Sequence, residues 1–274
     1  PTFNELPNVQ PLLDRLADAL HGIDYEVIFV DDNSPDGTAA LVRAIAQRNP
    51  RVRVIQRIHR RGLASACIEG MLSTAAPCIA VMDADLQHDE TVLPRMLHRL
   101  KAESLDLVVA TRNTDGGSMG DFSPLRIRLS NLGKRLGAFI TRAELSDPMS
   151  GFFMLPRPLF DELARSLNGQ GFKILLDLVM SAPNPLRVKE VPATFRERVA
   201  GESKLDLLVM IQFGGLLLDK ICGGLLPLRF ISFCLVGGIG VLVHLAVLTF
   251  LRKTTGLGFE VEQTIATLDR KSVV

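Results

Sequence analysis

The sequence predicts an α/β fold, in which a mostly parallel sheet is covered by helices on both faces. Stretches with apolar residues at helical spacing alternate along the chain with short apolar runs typical of strands. Two acidic pairs, Asp31 with Asp32 and Asp83 with Asp85, each follow one of those runs. Ligands of such sheets bind at the carboxyl ends of the strands, so we expect a ligand site at these pairs.

Helices and strands alternate through the first hundred residues. The predicted helices are 12–20, 38–48, 63–75 and 91–102, and the predicted strands are 26–30, 51–57, 77–85 and 106–113. The turn after the first strand, DDNSPDG, has no GxGxxG pattern. A glycine-lined cradle for a dinucleotide is therefore not expected there.

A glycine-rich loop and then a basic amphipathic helix follow the strand at 106–113. In 125–142 one face is apolar, while Arg126, Ser130 and Lys134 share another face at a spacing of four. This pattern is typical of a solvated surface helix or of a helix at a membrane surface. In the second case Arg126 and Ser130 could together hold the oxygens of a lipid phosphate.

The composition fits a globular protein and argues against nucleic-acid binding. A hydrophobic content of 47% over 274 residues is ample for a core. The net charge of +1, the absence of Trp and the single Tyr argue against nucleic-acid binding. The four cysteines have no close pairing pattern, so we expect reduced thiols and a cytosolic location. The N-terminus lacks the pattern of a signal peptide.

The C-terminal part is predicted to contact a membrane. Residues 230–251 contain no Asp, Glu, Lys or Arg. A helix of that length measures about 33 Å, which is enough to cross a hydrocarbon layer of roughly 30 Å. We therefore predict a transmembrane helix at 228–252 rather than a buried core helix. Interfacial helices are predicted at 205–227, where Asp219 and Lys220 interrupt the apolar run, and a polar tail at 253–274.

The stretch VMDADLQHDE at 81–90 predicts a divalent cation site. If the backbone is extended, the side chains of Asp83, Asp85 and Gln87 project to one side. Mg²⁺ and Mn²⁺ prefer carboxylate and amide oxygens and keep positions open for substrate phosphates. The alternative is a strand end that leads into a solvated acidic loop.

With these motifs in place, residues 1–204 resemble the dolichol-phosphate mannose synthases, which are inverting members of glycosyltransferase family 2 with the GT-A fold. The resemblance rests on PTFNE, VDDNSPDGT, MDADLQH, ATRN, the pair Arg126 and Ser130, DPMSGFF and FRERVAGESKL, in that order. The membrane segment resembles the start of a GtrA-like domain, which normally has several spans. The resemblance implies metal-dependent transfer of mannose from GDP-mannose to dolichyl or polyprenyl phosphate at the cytosolic membrane face.

The resemblance also implies three groups of site residues. The nucleotide sugar would be held by Pro1, Phe3, Glu5, Val30, Asp32, Asp83, Ala84, Asp85, Arg198 and Lys204. The acceptor phosphate would be held by Arg112, Arg126 and Ser130, and Mg²⁺ or Mn²⁺ by Asp83, Asp85 and Gln87. Asp83, Asp85 and Arg112 would act in catalysis, since the metal neutralises the leaving diphosphate. Phe3 departs from the usual Tyr, so a stacking face remains but a hydroxyl hydrogen bond is lost.

Several alternatives stay open. One is a polyprenyl-phosphate glucosyltransferase that uses UDP-glucose, and another is a membrane-anchored nucleotide-sugar-binding protein without turnover. A lipid phosphate has a second pKa of about 6 and is largely ionised near neutral pH, so it needs no general base. Asp147 is accordingly interpreted as a turn residue before Pro148 rather than a base. Self-association into a homo-oligomer is also left open.

Overall fold

The computed structural model describes residues 1–111, 145–148, 150–169 and 174–196, together with helical residues between 233 and 249. The chain divides into two units, Pro1–Lys204 and Leu205–Val274. The sheets and the candidate site belong to the first unit.

The described residues of the first unit contain six helices, of which the first four agree with the predicted ones in type and order. They are α1 Leu6–Ala19, α2 Thr38–Ala46, α3 Leu63–Leu72, α4 Leu93–Ala102, α5 Arg157–Leu163 and α6 Ile174–Ser181. Helix α1 begins before the predicted start at residue 12, with Pro7 in its first turn. A proline is tolerated there because the first backbone N–H groups of a helix have no partner within the helix.

Six strands form two sheets in the described part of the first unit. They are β1 Val27–Asp31, β2 Val52–Gln56, β3 Cys78–Val81, β4 Leu107–Thr111, β5 Phe153–Pro156 and β6 Val188–Pro192. Strands β1 and β2 pair in parallel, and the second sheet has the order β3-β5-β4-β6. Strand β5 runs antiparallel to both β3 and β4, whereas β4 and β6 are parallel.

The prediction of a mostly parallel sheet therefore needs correction, because the larger sheet is mixed. The backbone N–H of Ala110, near the end of β4, donates to the carbonyl of Phe152 at 2.9 Å. The chain thus re-enters the sheet at the edge where β4 ends, so β5 must run in the opposite direction. One consequence is that the residues before β5 lie beside the carboxyl end of β4.

Helices cover both faces of the mixed sheet, as predicted. Strand β4 is buried along its whole length. Its residues Val108 and Ala110 join a core with α1, α2 and α4, while Leu107 and Val109 join a second core with α3, α5 and α6. This division follows from the alternation of side chains along a strand.

The second unit is described only in part. Its described residues between 233 and 249 are helical, and Phe233, Val241 and Leu245 are apolar, exposed and at helical spacing. Among the described residues, no helix is both long enough and apolar enough to cross a membrane. The predicted span at 228–252 and the interfacial helices at 205–227 lie largely or wholly outside the described residues and stay predictions.

Candidate active site

The segment after β3 is a bent loop and not the extended strand that was predicted. Strand β3 ends at Val81, residues 84–86 form a bend, and Leu86 has a positive φ of 63°. The backbone N–H of Gln87 donates to Asp85 Oδ1 at 3.2 Å. An aspartate side chain that accepts a hydrogen bond from the backbone N–H two residues later favours a turn over a strand. This explains why the segment is bent and not extended. We refer to residues 82–90 as the acidic loop.

A cavity of about 180 Å³ opens where several strands end. Asp83 follows β3, Thr111 ends β4, Thr194 follows β6, and Gly151 precedes β5, and all four residues line the cavity. Because β5 is antiparallel, its beginning lies at the same edge as the ends of its neighbours. The cavity is thus located where ligand sites of α/β sheets are expected.

His88 is a cavity residue to which the sequence assigned no role. Its Nε2 lies 3.4 Å from Asp83 Oδ2, and its ring packs against Phe152 at 5.1 Å and Phe195 at 5.5 Å between centroids. The side chain is nearly buried, so these contacts fix the ring beside the Asp83 carboxylate. The only signal in the sequence is its position directly after Gln87 in the MDADLQH motif.

Asp147 also lines the cavity, although the sequence favoured a purely structural role for it. Its carbonyl accepts a hydrogen bond from the Ser150 backbone N–H at 3.2 Å, so the predicted turn at Pro148 is present. The hydroxyl of Ser150 donates to the Ala110 carbonyl at 2.9 Å and ties this turn to β4. Asp147 therefore belongs to a turn and also lines the cavity.

At the end of β1, Asp32 is held by a buried arginine. Arg57 is fully buried, and its Nε lies 2.8 Å from Asp32 Oδ1 in an ion pair. Asp32 Oδ2 accepts a hydrogen bond from the backbone N–H of Gly62 at 2.9 Å. Arg57 also donates to the hydroxyl of Ser65 at 2.8 Å. The predicted nucleotide-binding carboxylate is therefore fixed in place before any ligand arrives.

The neighbouring Asp31 is a structural residue. It is fully buried and accepts hydrogen bonds from the backbone N–H and the hydroxyl of Ser34, at 2.9 Å and 2.5 Å. Thr2 forms a parallel β-bridge with Asp31, and the Thr2 N–H donates to the Val30 carbonyl at 2.8 Å. The N-terminal residues are thus attached to the edge of β1. Val30 itself is buried, so its side chain belongs to the core.

Three other predicted nucleotide contacts lie at the N-terminus. The half-buried Pro1 begins the segment beside β1. The Phe3 ring is faced by the guanidinium of Arg61, whose Cζ lies 4.8 Å from the ring centroid. The Glu5 carboxylate accepts a hydrogen bond from the Asn8 side chain at 2.6 Å, next to the start of α1.

Cys67 of α3 is a buried free thiol. Burial raises the pKa of its thiol to about 11, and the charges of Pro1, Asp83 and Arg57 contribute smaller effects. The thiol stays protonated at neutral pH and acts as a small apolar core residue.

Five predicted site residues lie outside the described residues: Arg112, Arg126, Ser130, Arg198 and Lys204. Of the remaining ones, the structure brings Asp83 to the cavity, and Ala84 and Asp85 to buried positions in the acidic loop.

Comparison with known proteins identifies the family. Residues 1–164 match the model of glycosyl transferase family 2. The chain belongs to this family. It is 37% identical over 207 residues to dolichol-phosphate mannosyltransferase of Pyrococcus furiosus, a match that covers 75% of this chain and 57% of that protein. It is 39% identical over 221 residues to the Mycosarcoma maydis protein of the same name, covering 78% of this chain and 74% of the relative.

A solved structure supports the fold of this glycosyltransferase. Glucosyl-3-phosphoglycerate synthase from Mycobacterium tuberculosis, in complex with Mn²⁺, UDP-glucose and phosphoglyceric acid, superposes with a TM-score of 0.59 at 22% identity. The superposition covers 81% of this chain and 78% of that one. The α/β fold of family 2 is thereby confirmed.

The acidic loop of this glycosyltransferase offers donors that fit a hard divalent cation. In the described ranges, no group of three His, Cys, Asp or Glu side chains is placed to hold a metal ion. Such a group is not required, because Mg²⁺ in phosphate-binding sites uses one or two carboxylates together with substrate phosphates. The Asp83 side chain is 37% exposed, Asp85 is buried, and Gln87 is half-buried. These donors suit an ion with open positions.

Replacing Gly151 by alanine is expected to disturb Asp83. A Cβ atom at this position would lie 2.9 Å from Asp83 Oδ2 and 3.6 Å from His88 Nε2. Either the carboxylate or the backbone before β5 must then move. We expect weaker Mn²⁺ binding and about tenfold slower sugar transfer, since small misplacements in active sites cost up to about 100-fold. Isothermal titration with Mn²⁺ and initial rates measure the two effects.

Gly237→Ala is the control for this change, because a Cβ there would meet nothing within 4 Å. Unchanged Mn²⁺ affinity in Gly151→Ala would contradict a role of this close approach in positioning Asp83.

Proposed function

We propose that this glycosyltransferase transfers mannose from GDP-mannose to the phosphate of a dolichyl or other polyprenyl lipid, with inversion at the anomeric carbon. The observation that carries the proposal is the position of Asp83, in the acidic loop and on the wall of the cavity at the strand ends. The names of the relatives support this lipid-linked mannosyl transfer.

The chemistry requires stabilisation of the leaving group more than activation of the acceptor. Cleavage of a nucleotide sugar leaves a diphosphate with growing negative charge. A bound Mg²⁺ or Mn²⁺ supplies Lewis-acid neutralisation of that charge. Asp83, Asp85 and Gln87 would hold the ion at the acidic loop, and the cavity that Asp83 lines would receive the sugar.

The nucleotide would lie between the acidic loop and the end of β1. Asp32 is already oriented by Arg57 and by the Gly62 backbone, so it offers a fixed acceptor to a nucleobase. The Phe3 ring offers a stacking face, and Arg198 and Lys204 are proposed to bind the diphosphate.

The acceptor is an ionised lipid phosphate, and direct displacement by its oxygen inverts the anomeric centre. Arg112, Arg126 and Ser130 are proposed to bind this phosphate. Attachment through a helix at 228–252, with the catalytic unit on the cytosolic side, would bring the acceptor to the site.

The decisive experiment measures transfer from labelled donors to lipid. The full chain is incubated in vesicles with dolichyl or undecaprenyl phosphate and either GDP-mannose or UDP-glucose, and the label is followed into the lipid fraction. We expect transfer from GDP-mannose that stops with EDTA and returns with Mn²⁺ or Mg²⁺.

Other outcomes are informative. Transfer from UDP-glucose alone would replace the donor assignment, and nucleotide binding without any product would favour a non-catalytic binding protein. A full rate after removal of divalent ions would overturn the role proposed for the acidic loop.

A further inference from the structure

An arginine after β6 is bound to the acidic loop through its side chain. Arg196 Nη1 lies 2.7 Å from Glu90 Oε2 and Nη2 lies 3.1 Å from Glu90 Oε1, which is a bidentate pair. Nη1 also donates to the carbonyl of His88 at 3.1 Å. Only 5% of the Glu90 side chain is exposed. A bidentate pair with a buried carboxylate is a strong and directional interaction.

The backbone of the same arginine binds Gln87. The Arg196 N–H donates to the Gln87 carbonyl at 2.8 Å, and Gln87 Nε2 donates to the Arg196 carbonyl at 3.3 Å. The carboxamide nitrogen is thereby oriented towards Arg196. Because a carboxamide has its nitrogen and oxygen on opposite sides, this bond also fixes the direction of the Gln87 oxygen.

These contacts cross a long distance in the sequence. They join residues 87–90 to residue 196, which are more than a hundred positions apart. The hydrogen bond from the Gln87 N–H to Asp85 lies within the acidic loop. The ion pair between Arg196 and Glu90, by contrast, attaches the loop to the segment after β6.

We propose that Arg196 and Glu90 are positioning residues, whose ion pair holds the acidic loop so that the Gln87 carboxamide oxygen faces the divalent ion. This inference rests on the proposed function, since it requires an ion at Asp83, Asp85 and Gln87. Residues that orient metal ligands typically change metal affinity by about 10- to 100-fold when they are mutated.

The test separates positioning from stability. Arg196→Met alone leaves the buried Glu90 carboxylate without its partner, so it is expected to lower thermal stability as well as Mn²⁺ affinity. The double variant Arg196→Met with Glu90→Gln removes both charges. We expect it to recover most of the unfolding temperature of the metal-free protein, but to bind Mn²⁺ about tenfold more weakly than wild type.

A conservative variant refines the result. Arg196→Lys keeps the charge but not the planar fork of donors. We expect stability close to wild type and a Mn²⁺ affinity that is still reduced. Isothermal titration with Mn²⁺ gives the affinities, and thermal unfolding in EDTA gives the stabilities.

Another bidentate pair of this chain provides the matched control. Arg187 donates to both oxygens of Asp106, at 3.1 Å and 3.0 Å, but this pair belongs to the start of β4 and the segment before β6. Arg187→Met with Asp106→Asn should leave Mn²⁺ affinity unchanged.

Asp85→Asn distinguishes a failure of the metal site from a failure of the positioning role. If Asp85→Asn loses Mn²⁺ binding but the double variant at Arg196 and Glu90 binds Mn²⁺ like wild type, the positioning role is wrong and the metal site stands. If Asp85→Asn itself binds Mn²⁺ like wild type, the metal site is wrong, and the positioning role is overturned with it.

Discussion

Replacing Asp85 by asparagine is expected to slow sugar transfer by about 100-fold or more. The change removes one negative charge from the acidic loop while keeping the size of the side chain and an oxygen that can accept the Gln87 N–H. A divalent ion would then be held less tightly where the diphosphate charge develops. Loss of one group that stabilises transition-state charge costs about 10²- to 10³-fold in rate. Initial rates with labelled GDP-mannose at saturating lipid measure the effect.

Asp161→Asn is the control for this prediction. The Asp161 side chain is 56% exposed and pairs with Arg157 one helical turn away in α5. It is a carboxylate of the same unit in a surface ion pair, so its neutralisation should leave transfer unchanged. Wild-type rates in Asp85→Asn would refute the assignment of the acidic loop to the reaction.

Replacing Arg57 by methionine is expected to lower the free energy of unfolding by about 3–5 kcal/mol. The Arg57 side chain is wholly buried, and it lies 2.8 Å from Asp32 and 3.6 Å from Glu69. Without Arg57, the nearly buried Asp32 carboxylate keeps its hydrogen bond from the Gly62 N–H but loses its ion pair. An uncompensated buried charge is the costly result of breaking such a pair. Chemical denaturation followed by circular dichroism measures the change.

Arg53→Met is the matched comparison, because Arg53 lies in the same strand β2 and also pairs with a carboxylate. Its partner is Glu26, and the two side chains are 46% and 30% exposed. Surface ion pairs contribute about 0–1 kcal/mol, so a small loss is expected. Equal losses in the two variants would contradict the view that burial makes the Asp32–Arg57 pair important.

Much of the fold could be predicted from the sequence because local patterns determine it. The four predicted strands and four predicted helices of residues 1–111 are present, with shifted ends. The strand at 106–113 is an example, since the apolar run of Leu107 to Thr111 specifies burial on both faces. Membership of glycosyltransferase family 2, drawn from ordered motifs, was also confirmed, whereas the GtrA-like segment stays a prediction.

The candidate site could be predicted less well, because its geometry depends on distant contacts. The acidic residues were found, but the alternation assumed for Asp83 and Asp85 does not apply after β3 ends at Val81. His88 was missed, since its position beside Asp83 becomes visible only when Phe152 and Phe195 pack against its ring. The residues predicted to bind phosphates at 112, 126, 130, 198 and 204 stay predictions.

By itself the sequence determined the type and order of the helices and strands of residues 1–111, where the oxygen donors follow a strand, and to which family the chain belongs. Tertiary structure alone decided the antiparallel direction of β5, the burial of Arg57 against Asp32 and the attachment of Arg196 to the acidic loop. The reason is physical. Periodicity and turn chemistry act over a few residues, whereas strand direction and buried ion pairs depend on which distant segments meet in the folded chain.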